Sequence, residues 1–156
     1  MKPCLRDYRI VPMHDHPGGL DEAISYYHRK WGRENNLAFF KDAIEHANDG
    51  GLPQFFVLLK GKRIVGCCGL IANDLISRQD LCPWLCGLFV ETGERGRGLG
   101  NFLLEFAEKE ARRVGYDTVY LSTDHTAYYE RYGWAYLGDG YEPSGEPARI
   151  YRKILA

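Results

Sequence analysis

Residues 94–106, ERGRGLGNFLLEF, set two arginines among three glycines and run without a break into an amphipathic stretch. Glycine in the first turn of a helix costs stability, so Gly96, Gly98 and Gly100 together imply a backbone that something approaches closely. Just upstream, WLCGLFV (84–90) is an apolar run long enough for a fully buried strand. Only Gly87 interrupts it, and a glycine inside a strand marks a bulge or a close backbone approach. Downstream, Leu99, Phe102, Leu103, Phe106, Ala107 and Val114 share one helical face, Glu105, Glu108, Lys109 and Arg112 the other, and Gly115 is a natural stop. DTVYLST then reads as a further strand. The glycine-rich turn therefore lies at a helix N-terminus, where unpaired N–H groups and the positive dipole end favour an anion. Arg95 and Arg97 add charge-assisted donors.

The remaining segments fill in a mixed architecture. YRIVPM reads as a first strand, and LDEAISYYHRKWG and LAFFKDAIEHAND carry apolar residues at helical spacing. PQFFVLL and RIVGCCGLI, joined by KGK, form a hairpin signature. After the polar stretch ANDLISRQDLCP and the strand–turn–helix–strand unit, HTAYYERYGW reads as a short helix closed by Gly133, and AYLGDGYEP with ARIYRKIL as a final hairpin. The expected order is β-α-α-β-β-β-α-β-α-β-β, an α/β chain with a mixed sheet. With no repeat, low-complexity tract or long linker, residues 1–156 are expected to form one domain.

Composition excludes several classes. Lys and Arg number 20 against 21 Asp and Glu, a net charge of −1, which argues against nucleic acid or an anionic membrane as partner. No window approaches the ~20 apolar residues of a membrane span and the N-terminal segment lacks a signal-peptide core, so a cytoplasmic protein is expected. Five cysteines, an odd number, fit reduced thiols. Cys82 and Cys86 flank PWL, but no second close pair or nearby histidine completes a zinc site, and no metal is expected.

Two familiar phosphate fingerprints fail on fixed offsets. A nucleotide-triphosphate loop needs Lys-Ser/Thr after its last glycine, where this chain has Asn101 and Phe102. A dinucleotide fingerprint needs Gly or Ala at 101 or 103, occupied here by Asn101 and Leu103. Arg-x-x-Gly-x-Gly does fit, as Arg95, Gly98 and Gly100. This motif, within LFVETGERGRGLGNFLLEFAEKEARRVGYDTVYL and followed by YYERYGW, resembles the acyl-CoA loop and later tyrosine segment of the GNAT superfamily of N-acetyltransferases.

The resemblance implies a fold with splayed central parallel strands, acetyl-CoA as co-substrate, and transfer of its acetyl group to a primary amine by direct attack in a ternary complex. It assigns cofactor binding to Leu88, Phe89, Val90, Arg95, Gly96, Arg97, Gly98, Leu99, Gly100 and Asn101. Main-chain N–H groups near Phe89 and Val90 would polarise the thioester carbonyl. Tyr129 matches the family tyrosine and is the expected general acid.

An alkylamine with a pKa near ~10 must lose a proton before it attacks, so a base is required. Many relatives carry a glutamate early in the strand before the loop; here that position is Trp84. His125 and Asp80 are the candidate bases, with Asp74 and Asp124 also at predicted loops or strand edges. The segment TDHT also reads as a cap in which Thr123 or Asp124 satisfies helix N–H groups. A small-molecule amine is the expected acceptor; a peptide acceptor and a non-catalytic acyl-CoA sensor are the alternatives. The apolar final hairpin and the family resemblance suggest a homodimer.

Overall fold

Alternation and buried apolar runs specify the strands. The computed structural model describes residues 5–156 and contains β1 (Tyr8–Pro12), α1 (Leu20–Trp31), α2 (Leu37–Glu45), β2 (Gln54–Lys60), β3 (Arg63–Ile71), β4 (Trp84–Val90), α3 (Leu99–Arg113), β5 (Thr118–Thr123), β6 (Ala135–Tyr141) and β7 (Pro147–Ile154). The seven strands form a mixed sheet in the order β1-β2-β3-β4-β5-β7-β6. The backbone divides into two compact units: the chain up to Gly69 with Gly87–Phe106, and Leu70–Cys86 with Ala107–Ala156. β3, β4 and α3 contribute residues to each.

In the first unit β1 and β2 pair antiparallel from Tyr8↔Lys60 to Pro12↔Phe56. β2 and β3 are buried almost throughout, as a strand covered on both faces requires. Helix α1 opens with Asp21 and Glu22 and closes with His28, Arg29 and Lys30, charges that complement its dipole. Its Tyr27 packs edge-on against Phe55 at 5.6 Å between centroids. Leu99, Leu103 and Leu104 bury the first turns of α3, and Phe106 meets Phe56 at 4.8 Å.

In the second unit α3 ends in a Schellman motif: Gly115, at φ +102°, donates to Arg112 C=O, and Tyr116 N–H reaches Ala111 C=O. β4 pairs parallel with β5 at Trp84↔Tyr120, and Tyr120 N–H donates to Pro83 C=O. β7 pairs antiparallel with both β5 and β6, the latter with a register shift between Tyr136 and Gly138. Trp84, Ile76, Leu81, Ala148 and Ile150 form a core cluster. The short helix expected over HTAYYERYGW is a 3-10 turn, Tyr129–Tyr132: Ala127, at φ +64°, breaks the approach to it, and Gly133, at φ +85°, ends it.

Among the described residues, Cys67, Cys68, Cys82 and Cys86 form no disulfide; Cys4 lies outside the described residues. Among the described residues, no helix is long and apolar enough to cross a membrane.

Candidate active site

β4 changes character at Gly87. Trp84, Leu85 and Cys86 are buried, whereas Gly87, Leu88, Phe89 and Val90 are half-buried. Gly87 is left-handed at φ +61°, and a Cβ there would stand 2.3 Å from Tyr27 Oη. Both the close approach and the backbone conformation require glycine. Cys67 Sγ donates to Gly87 C=O at 3.3 Å, holding the strand at that point.

Beyond Val90 the chain is anchored and then released. Glu91 N–H donates to Val65 C=O, and its carboxylate accepts from Tyr26 Oη and pairs with Lys30, both at 2.8 Å. Lys30, followed by Tyr26, holds the Glu91 carboxyl below its ordinary pKa. The Phe89 ring meets Lys30 Nζ at 4.7 Å and Arg95 Cζ at 5.5 Å from its centroid. Arg95 Nε donates to Val90 C=O at 2.9 Å, so this guanidinium is oriented by the strand it follows. Arg97 lies 3.7 Å from Glu94.

Residues Arg95–Gly98 are exposed, and Gly96 and Gly98 are left-handed at φ +81° and +79°. Phe102 N–H donates to Gly98 C=O, closing the first turn of α3 and making Gly98 its N-cap. The N–H groups of Leu99, Gly100 and Asn101 then have no acceptor within the helix, and no acidic residue occupies that turn. The Leu99 side chain is core, and Asn101 Nδ2 donates to Glu105, so both offer main chain at the loop. Left-handed glycines, free helix-start N–H groups and two guanidinium groups fit a diphosphate.

In the second unit, Tyr129 is buried among Tyr128, Trp134 and Tyr151, with ring centroids at 4.9, 6.2 and 6.0 Å. Burial, reinforced by Tyr128, pushes its phenol up to about 12, so it carries its proton at neutral pH. His125 is exposed just past β5, and its backbone N–H donates to Thr123 Oγ1 in a local turn; no helix starts at TDHT, because the 3-10 turn that follows has Tyr128 at its N-cap without a side-chain bond, so the expected cap by Thr123 or Asp124 does not form. Its ring lies 6.1 Å from that of Tyr128.

The loop between β3 and β4 carries two carboxylates in opposite environments. Asp80 is exposed and takes a two-point bond from Arg78, at 2.9 and 2.8 Å, which lowers its pKa. Asp74 is half-buried, and desolvation, with the Glu142 charge second, raises its carboxyl from 3.8 to about 7. The loop around it is tightly held. Asn73 bonds Ile76 N–H, Ile76 C=O and Arg78 C=O, while Ser77 and Tyr141 exchange two hydrogen bonds. Arg78 thus makes Asp80 the weaker base of the two. Sequence reasoning missed Lys30, Glu91 and Glu94; a lone acid inside a basic glycine loop was the one available signal for Glu94.

The mixed seven-stranded sheet with this strand–loop–helix unit is the acyl-CoA N-acyltransferase fold. Residues 19–134 match the model of the acetyltransferase (GNAT) family, and the chain belongs to that family, whose acyl donor is acetyl-CoA. An acetyltransferase from Streptococcus agalactiae is 23% identical, with 96% of this chain and 99% of that one covered and a TM-score of 0.68. An aminoglycoside 6'-N-acetyltransferase complexed with coenzyme A is 17% identical, with 95% and 97% covered and a TM-score of 0.71. A GNAT family acetyltransferase from Elizabethkingia anophelis with acetyl-CoA bound is 12% identical, with 96% and 99% covered and a TM-score of 0.65.

Proposed function

We propose that this protein transfers the acetyl group of acetyl-CoA to a primary amine of a small molecule, by direct attack on the thioester. The observation that carries this reading is the loop Arg95–Gly98 at the start of α3, whose left-handed glycines and free N–H groups suit the CoA diphosphate. In this reading Leu88, Phe89 and Val90 offer main chain to the pantetheine arm and thioester, and Arg95, Gly96, Arg97, Gly98, Leu99, Gly100 and Asn101 hold the phosphates. The fold shared with an aminoglycoside acetyltransferase supports a small-molecule acceptor.

The N–C bond forms as the C–S bond breaks, and sulfur leaves with the electron pair. The acceptor ammonium loses two protons, one to a base and one that ends on the CoA thiol. Among His125, Asp80 and Asp74, Asp74 is the base we favour, because a carboxyl raised to about 7 accepts a proton near neutral pH. Tyr129 donates to the departing sulfur. A phenol near 12 beside a thiol near ~8.5 stabilises the thiolate through its hydrogen bond more than by complete transfer.

Residues 1–156 act as one catalytic domain in this reading. Cysteines that form no disulfide support a cytoplasmic setting. Exposed Tyr136, Tyr141 and Ile154 on the terminal hairpin support a homodimer, which sedimentation at micromolar concentration tests. The catalytic test is release of free CoA thiol from acetyl-CoA in the presence of amine pools. Release with small amines supports the reading; release with peptides alone assigns a peptide acetyltransferase, and CoA binding without release under any pool assigns a sensor.

A further inference from the structure

Glu94 is the one buried acidic side chain among the described residues, and it stands directly before the glycine-rich loop. A buried carboxylate is costly unless paired, and this one is heavily paired. Tyr8 Oη donates to Oε2, Arg63 Nη2 lies 3.0 Å and Lys60 Nζ 3.5 Å from Oε1, and Arg97 Nε lies 3.7 Å from Oε2. Tyr8 and Lys60 face each other across β1 and β2, and Arg63 opens β3, so three strands converge on one carboxylate. Glu94 also closes the 3-10 turn Thr92–Glu94 through its N–H to Glu91 C=O, and Glu91 is bonded to Val65.

In the chain that follows, Arg95 is tied back to the strand through Nε to Val90 C=O and N–H to Thr92 C=O. Arg95, Gly96, Arg97 and Gly98 are exposed, and a Cβ at Gly96 would meet nothing within 4 Å. Glu94 on one side and the Gly98–Phe102 bond on the other bracket the loop.

We propose that Glu94 is a positioning residue for the phosphate loop: it fixes the loop's entry to the β1–β3 strands and orients Arg97 for the CoA diphosphate. This rests on the acetyl-CoA reading above. Coulomb's law alone opposes a carboxylate here, since removing a negative charge beside three cations should tighten the binding of an anion. Positioning predicts the reverse, so the sign of the effect discriminates.

The test is calorimetric titration of CoA into wild type, Glu94→Gln, Tyr8→Phe and Glu94→Gln/Arg97→Gln, with acetyl-transfer kinetics and thermal melts on each. Glu94→Gln is expected to bind CoA about fivefold or more weakly, the loss falling on KM for acetyl-CoA rather than kcat. Tyr8→Phe removes a single donor and is expected to weaken binding in the same direction by about twofold. In the Arg97→Gln background, Glu94→Gln should add little. Equal or tighter binding by Glu94→Gln overturns the proposal, and if that variant does not fold, unchanged binding by Tyr8→Phe overturns it. Failure of wild type to bind CoA overturns the acetyl-CoA reading and this inference together.

Discussion

Replacing Asp74 by Asn tests the favoured base through two observables whose signs are set by one titration. Burial and Glu142 raise the carboxyl from 3.8 to about 7. Between those values the folded protein keeps a proton that the unfolded chain has released. Stability should therefore fall as pH rises from about 4 to about 7 and stay level above that. At ~1.4 kcal/mol per pH unit the full effect is at most about 4 kcal/mol, and residual solvent access to a half-buried group reduces it to roughly half. Asp74→Asn removes this loss. In urea unfolding the variant should match wild type near pH 4.5 and exceed it by about 2 kcal/mol at pH 8. Activity runs the other way, because the base works only when ionised: wild-type kcat/KM should rise about tenfold from pH 6 to a plateau above 7. The variant should lack that limb and turn over roughly 10²-fold more slowly. A stability difference equal at both pH values, or a limb near 7 that survives in Asp74→Asn, refutes the assignment.

Gly87→Ala places a side chain where φ is +61° and the Tyr27 ring already stands, so a loss of about 2–5 kcal/mol is expected in urea unfolding; a loss under about 1 kcal/mol would mean that β4 yields easily there. Tyr129→Phe keeps the ring packing and removes the phenolic donor, so turnover should fall roughly 10²-fold with CoA affinity within about twofold. Unchanged turnover removes Tyr129 from the chemistry. Asp80→Asn breaks an exposed carboxylate's pairing with the half-buried Arg78 and should leave kcat/KM within about twofold; a loss of the same size as that expected for Asp74→Asn would exchange their roles.

The parts of this molecule legible in sequence are those set by local pattern. Leu99, Leu103 and Ala107 repeat with helical period, and the stop at Gly115 follows from the one conformation that closes the last turn. The β2–β3 hairpin is written in two apolar runs around Gly61, which adopts φ +63°. Gly87 signalled an irregular strand, though not the tyrosine that approaches it. What was illegible depends on partners distant in the chain. Glu94 is buried against Tyr8, 86 residues away, and its place beside a basic glycine loop does not announce that partner. Asp74 and Asp80 share a loop and a residue type, and desolvation of the first, with Glu142 second, and Arg78 beside the other separate them. At position 125 the sequence offers only a residue type suited to base chemistry, whereas the choice of base turns on environment.

Trp84 ties the absent family glutamate to the loop that carries Asp74. A glutamate at this position would have to be solvated or paired, but Trp84 is fully buried, with its indole N–H donating to Leu81 C=O at 2.7 Å. The same ring packs in one cluster with Ile76 and Leu81. Ile76 belongs to the segment that Asn73 cross-links, and Leu75, exposed and left-handed at φ +55°, turns the chain between Asp74 and Ile76. Filling the strand position with an indole thus gives the loop an apolar floor. A loop pressed onto that floor keeps Asp74 partly out of water, and desolvation is the largest cause of its raised pKa. In the reading proposed above, an indole at this position leaves the strand without a carboxylate and floors the loop in which Asp74, ten residues earlier in the chain, is desolvated.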